Sequence, residues 1–184
     1  MRRIGAILAI ACLVLIGLGV WIGSNRHTAA EPEPVRTPDN SDYYMQGATV
    51  YQMSPRGQLA YRMQVAQTLH FADGSARLSD IDVHYLEGTQ TYWNLHADKG
   101  RVPAGQRDLY LYGGVIIHHP RKNGNMVKVT TPHAWVHPKA NRIKSDAHVT
   151  AIEPGRKITG DGMRINLDTN KLNLLDNVHV TYTP

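Results

Sequence analysis

Apolar residues follow two different patterns along the chain, and each predicts a different element. Residues 4–22 are nineteen consecutive uncharged, mostly apolar positions directly after Arg2 and Arg3. At about 1.5 Å per residue, such a helix nearly matches a hydrocarbon core of about 30 Å. We therefore expect a transmembrane helix. The arginines before it predict a cytoplasmic N-terminus, with the rest of the chain on the other side of the membrane.

A cleaved signal peptide is the alternative for this segment, because small residues follow at Thr28, Ala29 and Ala30. The apolar run exceeds the roughly 7–15 residues of a signal peptide, and the polar residues 24–27 separate it from the alanines. Both points favour a retained anchor. Cys12, the only cysteine, lies inside the run, so the exported domain is expected to have no internal disulfide.

From Tyr43 onward, apolar and polar residues alternate. Trp93, Leu95 and Ala97, for example, are separated by polar neighbours. A period of two predicts strands with one buried face, and the turn residues between them predict short antiparallel strands. The predicted organisation is residues 1–23 for the cytoplasmic N-terminus and anchor, 24–42 for a flexible proline-containing linker, and 43–184 for an all-β domain.

A short motif repeats within this domain. DIDV at 80–83, GGV at 113–115, DAHV at 146–149 and DNV at 176–178 recur at intervals of 33, 33 and 30 residues. A fixed interval of this size predicts stacked units that bury their apolar faces only against their neighbours. Such a stack has two open edges and an elongated apolar interior. The third copy has one residue more than the second, which predicts a bulge.

Charge adds little to this picture. The formal net charge is +5, and basic residues recur at turns such as those of residues 121–122 and 156–157. They lack the interleaved aromatic residues of single-stranded nucleic-acid sites, so no nucleic-acid partner is expected. Such scattered basic turns usually form an ordinary solvated surface, and an acidic or phosphorylated partner is the alternative that fits them.

No catalytic constellation is present in the sequence. It has no phosphate-binding loop ending in Lys-Ser or Lys-Thr, and no cysteine outside the anchor to act as a nucleophile. Asp80 and Asp82 suggest a glycosidase pair, but they occupy a repeated turn position that indicates a structural role. None of the ten histidines meets metal-ligand spacing along the chain. We expect no enzyme, no cofactor and no metal site.

Four segments resemble the LptC family, the bitopic inner-membrane component of the lipopolysaccharide export system of Gram-negative bacteria. They are SPRGQLAYR at 54–62, YWNLHADK at 92–99, LYLYGGV at 109–115 and GDGM at 160–163. Their order, and the single anchor before them, extend the resemblance over essentially the whole chain. It implies an open twisted β-jellyroll like that of the soluble bridge protein LptA, in the periplasm, preceded by one transmembrane helix.

By the same resemblance the chain carries lipopolysaccharide. It would accept the lipid from the LptB/LptF/LptG transporter, which the anchor and the N-terminal strands contact, and pass it to LptA. A groove between the strands would hold the acyl chains. The residues predicted to face this groove are Ala48, Leu78, Leu95, Leu111, Ile165, Leu172, Val178 and Tyr182. The alternative for each is plain core packing, because a dry core and a lipid groove use the same residue types.

The C-terminal strand is the predicted docking edge for LptA, since its alternation is regular and no further strand follows to cover it. The residues predicted at this edge are Asn177, His179, Val180, Thr181 and Thr183. Two other functions stay open: a purely structural tether between envelope proteins, and a membrane-anchored hydrolase that would need Asp80 or Asp82.

Overall fold

The computed structural model describes residues 38–87, 90–121 and 123–182 of the 184-residue chain. The predicted anchor and the linker up to residue 37 lie outside the described residues, as does Thr183. No helix among the described ranges has the length and apolar character needed to cross a membrane.

The described residues form one antiparallel sheet of nine strands, which confirms the all-β prediction. The strands are β1 (Tyr43–Met53), β2 (Leu59–His70), β3 (Ala76–Glu87), β4 (Gln90–Val102), β5 (Leu109–Pro120), β6 (Met126–His137), β7 (Arg142–Glu153), β8 (Arg156–Asn166) and β9 (Lys171–Tyr182). Single 3-10 turns lie at Pro38–Asn40 and Pro138–Ala140. Each strand pairs only with its neighbours in the sequence, so the sheet is an open stack of hairpins.

The repeated motif lies where the strand pairing shifts register. Gly113 and Gly114 stand opposite the single residue Pro132, because Tyr112 pairs with His133 and Val115 with Thr131. The two glycines have φ angles of 83° and 98°, which residues with a Cβ rarely adopt. Pro132 has no N–H to leave unpaired at such a bulge.

The other copies of the motif show related geometry. Asp80 and Asn177 have φ angles of 54° and 50°, and the β7–β8 register shifts between Ser145 and His148, at the third copy. Each copy of the repeat therefore lies at a register shift or a positive φ angle in the middle of a strand. Bulges of this kind bend a strand and increase its twist.

An apolar row, which we call the inner ladder, crosses the whole sheet through directly paired residues. It runs through Val50, Met63, Val83, Leu95, Ile117, Val129, Ala151, Ile158 and Val180. Directly paired residues lie on the same face, so the ladder forms one continuous apolar surface. Its middle members Leu95, Ile117 and Val129 are 0% exposed, whereas Val50 and Val180 at the ends are 41% and 47% exposed.

A contact across the inner face joins β4 to the turn between β8 and β9. The indole Nε1 of Trp93 donates a hydrogen bond of 3.1 Å to Oδ1 of Asn170, 77 residues further along the chain. The ring of His119 stacks on Trp93 with centroids 4.1 Å apart. Trp93 is 1% exposed. The sheet is thus folded far enough for distant strands to enclose a common core.

Candidate functional site

A cavity of about 540 Å³ lies on the inner face at the β9 end of the sheet. It falls in the range of about 300–1,000 Å³ that is usual for ligand sites. Apolar side chains from five strands line it: Trp93, Val127, Ala151, Ile158, Leu172, Leu174, Val178 and Val180. The cavity therefore begins where the inner ladder becomes accessible.

Charged side chains line the same cavity. Three are basic, Arg121, Arg156 and Lys171, and one is acidic, Glu153. The Arg121 guanidinium Nη2 lies 3.5 Å from Oε2 of Glu153, and Arg156 Nε contacts the other carboxylate oxygen. Because only 15% of the Glu153 side chain is exposed, this cluster forms a half-enclosed positive rim beside an apolar wall.

The residues predicted to face a groove occupy three different environments. Leu172 and Val178 line the cavity, and Tyr182 is 75% exposed on the inner side, opposite Arg156. Leu95, Leu111 and Ile165 are 0% exposed, and Leu78 is also buried, so all four belong to the packed core. Ala48 lines a separate depression of about 260 Å³ next to β1. The structure thus brings Leu172 and Val178 together at the cavity, gathers the four buried residues in one core against which Leu172 packs, and places Ala48 at a separate depression.

Four of the five residues predicted at the docking edge lie on β9, which pairs with β8 alone among the described strands, and Thr183 lies outside the described residues. Asn177, His179, Val180 and Thr181 are all exposed. Val180 pairs with Ile158 and lines the cavity, so its side chain belongs to the inner face. Asn177 donates a 2.8 Å hydrogen bond to Asp161 of β8, which fixes β9 at its bulge.

The opposite edge is more exposed. β1 pairs with β2 alone among the described strands, and all its residues except Ala48 are exposed. Tyr43, Tyr44, Met45, Val50, Tyr51 and Met53 form its large apolar side chains. Exposed apolar residues on an edge strand are typical of a surface that pairs with another sheet.

Two polar clusters contain residues that the sequence singles out, together with partners that it does not predict. The first is the cluster of Arg121, Glu153 and Arg156; the second is formed by Asp80, Asp82 and His96, whose ligand atoms lie within 4.8 Å of one another. This second group could hold a cation, and His96 Nδ1 lies 3.2 Å from Asp82 Oδ1. Both groups combine residues from neighbouring strands or turns, which spacing along one segment does not reveal.

Asp161 links the last three strands, and we expect its contribution to depend on pH. Hydrogen bonds from Asn177 and His148 hold the pKa of Asp161 below its ordinary value. A carboxylate with a lowered folded pKa stabilises the fold above its unfolded pKa of about 3.9, and this contribution is lost as the pH falls through the folded value. Asp161→Asn should therefore lower the urea midpoint slightly at pH 7, and this difference should be smaller at pH 3, below the unfolded pKa. An equal difference at both pH values would contradict the assignment.

Comparison with known proteins gives consistent matches over most of the chain. A family model described as "Lipopolysaccharide-assembly, LptC-related" matches residues 9–183. The lipopolysaccharide export system protein LptC of Escherichia coli (strain K12) is 23% identical over an alignment of 183 residues, which covers 98% of this chain and 93% of that protein. The protein of the same name from Shigella flexneri gives the same values.

Among solved structures, the chain is similar to LptH of Pseudomonas aeruginosa, which is described as the LptA homologous periplasmic component of the lipopolysaccharide transport device. The two align with a TM-score of 0.46 and 11% identity, over 77% of this chain and 94% of that chain.

Proposed function

This chain belongs to the LptC-related family of lipopolysaccharide-assembly proteins, and from that premise we propose that its sheet is an open jellyroll that carries the lipid's acyl chains on its inner face. The chain is a component of lipopolysaccharide transport and not an enzyme. Its sheet would act by keeping the acyl chains away from water between its two open edges.

The inner ladder is the observation that carries the proposal. It is apolar on all nine strands and becomes accessible at both ends of the sheet. The cavity at the β9 end gives acyl chains a place away from water, which is worth about 0.8 kcal/mol per buried methylene. Leu172, Val178 and Val180 would contact the chains there, and Tyr182 would contact them at the opening.

The two exposed edges suggest where the lipid arrives and leaves. We assign the β9 edge to LptA, because a strand without a second partner can pair with another sheet and extend the apolar face. The β1 edge, at the N-terminal end of the sheet, would face the membrane-side jellyroll of LptF. The apolar residues 4–22 would anchor the chain in the inner membrane beside LptB/LptF/LptG, with its N-terminus in the cytoplasm and the sheet in the periplasm.

Photo-crosslinking at neighbouring positions of β9 tests this function. A photoreactive side chain at Val178 should capture lipopolysaccharide in membranes when the transporter has ATP, because Val178 lines the cavity. The control is Thr181, which pairs with Lys157 and alternates with the inward-facing Val180, so it should capture far less lipid. Capture of protein alone at Val178 would contradict the proposal.

One observation favours the structural tether as a second candidate. The middle of the inner ladder has no accessible surface at Leu95, Ile117 and Val129, as in a dry core. A tether would use the two edges to hold its partners and would need no passage between them. In that case, substitutions in the cavity wall would leave lipid transport unchanged.

A further inference from the structure

We propose that Arg121 and Arg156 form a phosphate subsite at the mouth of the cavity, occupied in the free protein by the carboxylate of Glu153. The ligand class is a phosphate monoester attached to an acyl-bearing lipid. This inference rests on the proposed function, since it assigns the headgroup of the lipid whose chains would fill the cavity.

The chain topology brings the two arginines together from separate turns. Arg121 follows β5, Glu153 ends β7 and Arg156 begins β8. Glu153 and Arg156 are directly paired across the two-residue turn, and Arg121 reaches Glu153 from the neighbouring hairpin. All three line the cavity that contains Val178 and Val180. A ligand with its chains against this wall would therefore have its polar end beside the two guanidinium groups.

The charges in this cluster do not balance. Among the residues that the structure describes, Glu153 is the sole ion-pair partner of either arginine, so one carboxylate faces two guanidinium groups. Each guanidinium has five N–H donors in a planar fork, and most of these donors are not used by Glu153. A phosphate monoester carries a charge of about −1.5 to −2 near pH 7 and three acceptor oxygens. It matches two converging guanidinium groups better than a single carboxylate does.

Glu153 has a definite role in this arrangement. In the absence of a phosphate, its carboxylate holds the two arginines close together at a half-enclosed position, where an uncompensated pair of like charges would repel. A phosphate must therefore displace Glu153 from at least one arginine. An apolar chain without a phosphate cannot do so, which gives the site selectivity for phosphorylated lipids.

Binding measurements on the full-length chain in detergent test the subsite. The probes are native lipopolysaccharide and the same material after chemical removal of its phosphates. The wild-type chain should bind the native form about tenfold to hundredfold more tightly, the usual effect of hydrogen bonds to a charged group. The double variant Arg121→Gln/Arg156→Gln should lose this preference. The matched control is Arg142→Gln/Lys144→Gln, which removes two exposed charges of β7 that lie outside the cavity lining and should keep it.

Glu153→Gln separates ligand binding from a merely structural role. Since the competing carboxylate charge is gone, this variant should bind native lipopolysaccharide about threefold to tenfold more tightly, and the dephosphorylated form as before. A structural ion pair alone predicts no gain. Circular dichroism spectra of the variants should match that of the wild type, so that the affinities compare folded proteins.

Inorganic phosphate distinguishes the two sources of the ligand. Displacement of native lipopolysaccharide by millimolar phosphate, but not by chloride at equal ionic strength, would assign the subsite to the phosphate group itself. Resistance to displacement, with the preference for native lipid intact, would assign it to the lipid headgroup. Equal binding of the two lipids by the wild-type chain overturns the subsite alone. Binding of neither lipid overturns the proposed function and the subsite with it.

Discussion

Trp93→Ala should lower the free energy of unfolding by about 3–5 kcal/mol, the usual cost of removing a large buried aromatic side chain. Trp93 is almost fully buried, donates its indole N–H to Asn170 and stacks on His119. It also lines the cavity. Its loss would leave an empty space in the core and would release the β8–β9 turn from β4.

Urea denaturation monitored by circular dichroism measures this effect. Trp93→Phe keeps most of the apolar volume but lacks the donor, so it should cost only about 1–2 kcal/mol. Trp135→Ala is the matched control, because Trp135 is half-buried, packs against Tyr110 with its ring tilted and stacks on His137. If Trp93→Ala cost no more than Trp135→Ala, the contact with the β8–β9 turn would have little part in stability.

Leu111→Asn is expected to be comparably damaging, with a loss of about 3–5 kcal/mol. The substitution removes the burial of a leucine, worth about 1.5–3 kcal/mol, and buries an amide without a partner, which costs about 1–3 kcal/mol. Leu111 has no accessible surface. Since small domains have a total stability of about 5–15 kcal/mol, this loss would remove a large share of the free energy of unfolding.

The comparison with Leu172→Asn makes this experiment informative about function. Leu172 is only partly buried and lines the cavity, so its replacement should cost far less stability and should weaken the capture of lipid at Val178. A stable Leu111→Asn protein with reduced lipid capture would instead mean that the middle of the sheet opens to lipid. The pair therefore separates core residues from lipid-contacting residues.

Periodicity was sufficient to predict which residues lie inside the domain. Trp93, Leu95 and Ala97 were expected on one face by alternation alone, and all three are buried. The repeated motif indicated stacked units, and its copies lie at irregularities of the strands. Both features are local, because strand faces and bulges are determined by a few consecutive residues.

Accessibility along the inside could not be predicted in the same way. Leu95 of β4 and Leu172 of β9 both lie in segments where apolar and polar residues alternate. Leu95 is nevertheless fully buried, whereas Leu172 lines a cavity. The difference depends on contacts between distant strands, such as that of Trp93 with Asn170. Likewise, the sequence shows Arg121 and Arg156 only as basic residues of separate turns. Both contact Glu153 because the order of the strands brings these turns together.

Because each strand pairs only with its neighbours in the sequence, the number of strands determines the width of the described sheet. Nine strands are separated by eight spacings of about 4.8 Å, so the path from β1 to β9 measured along the sheet is about 38 Å. Adding or removing one two-stranded unit would change this length by about 10 Å without altering the pairing of the other strands. The width of the sheet is thus encoded in whole hairpins, and changes in it would occur in steps of that size.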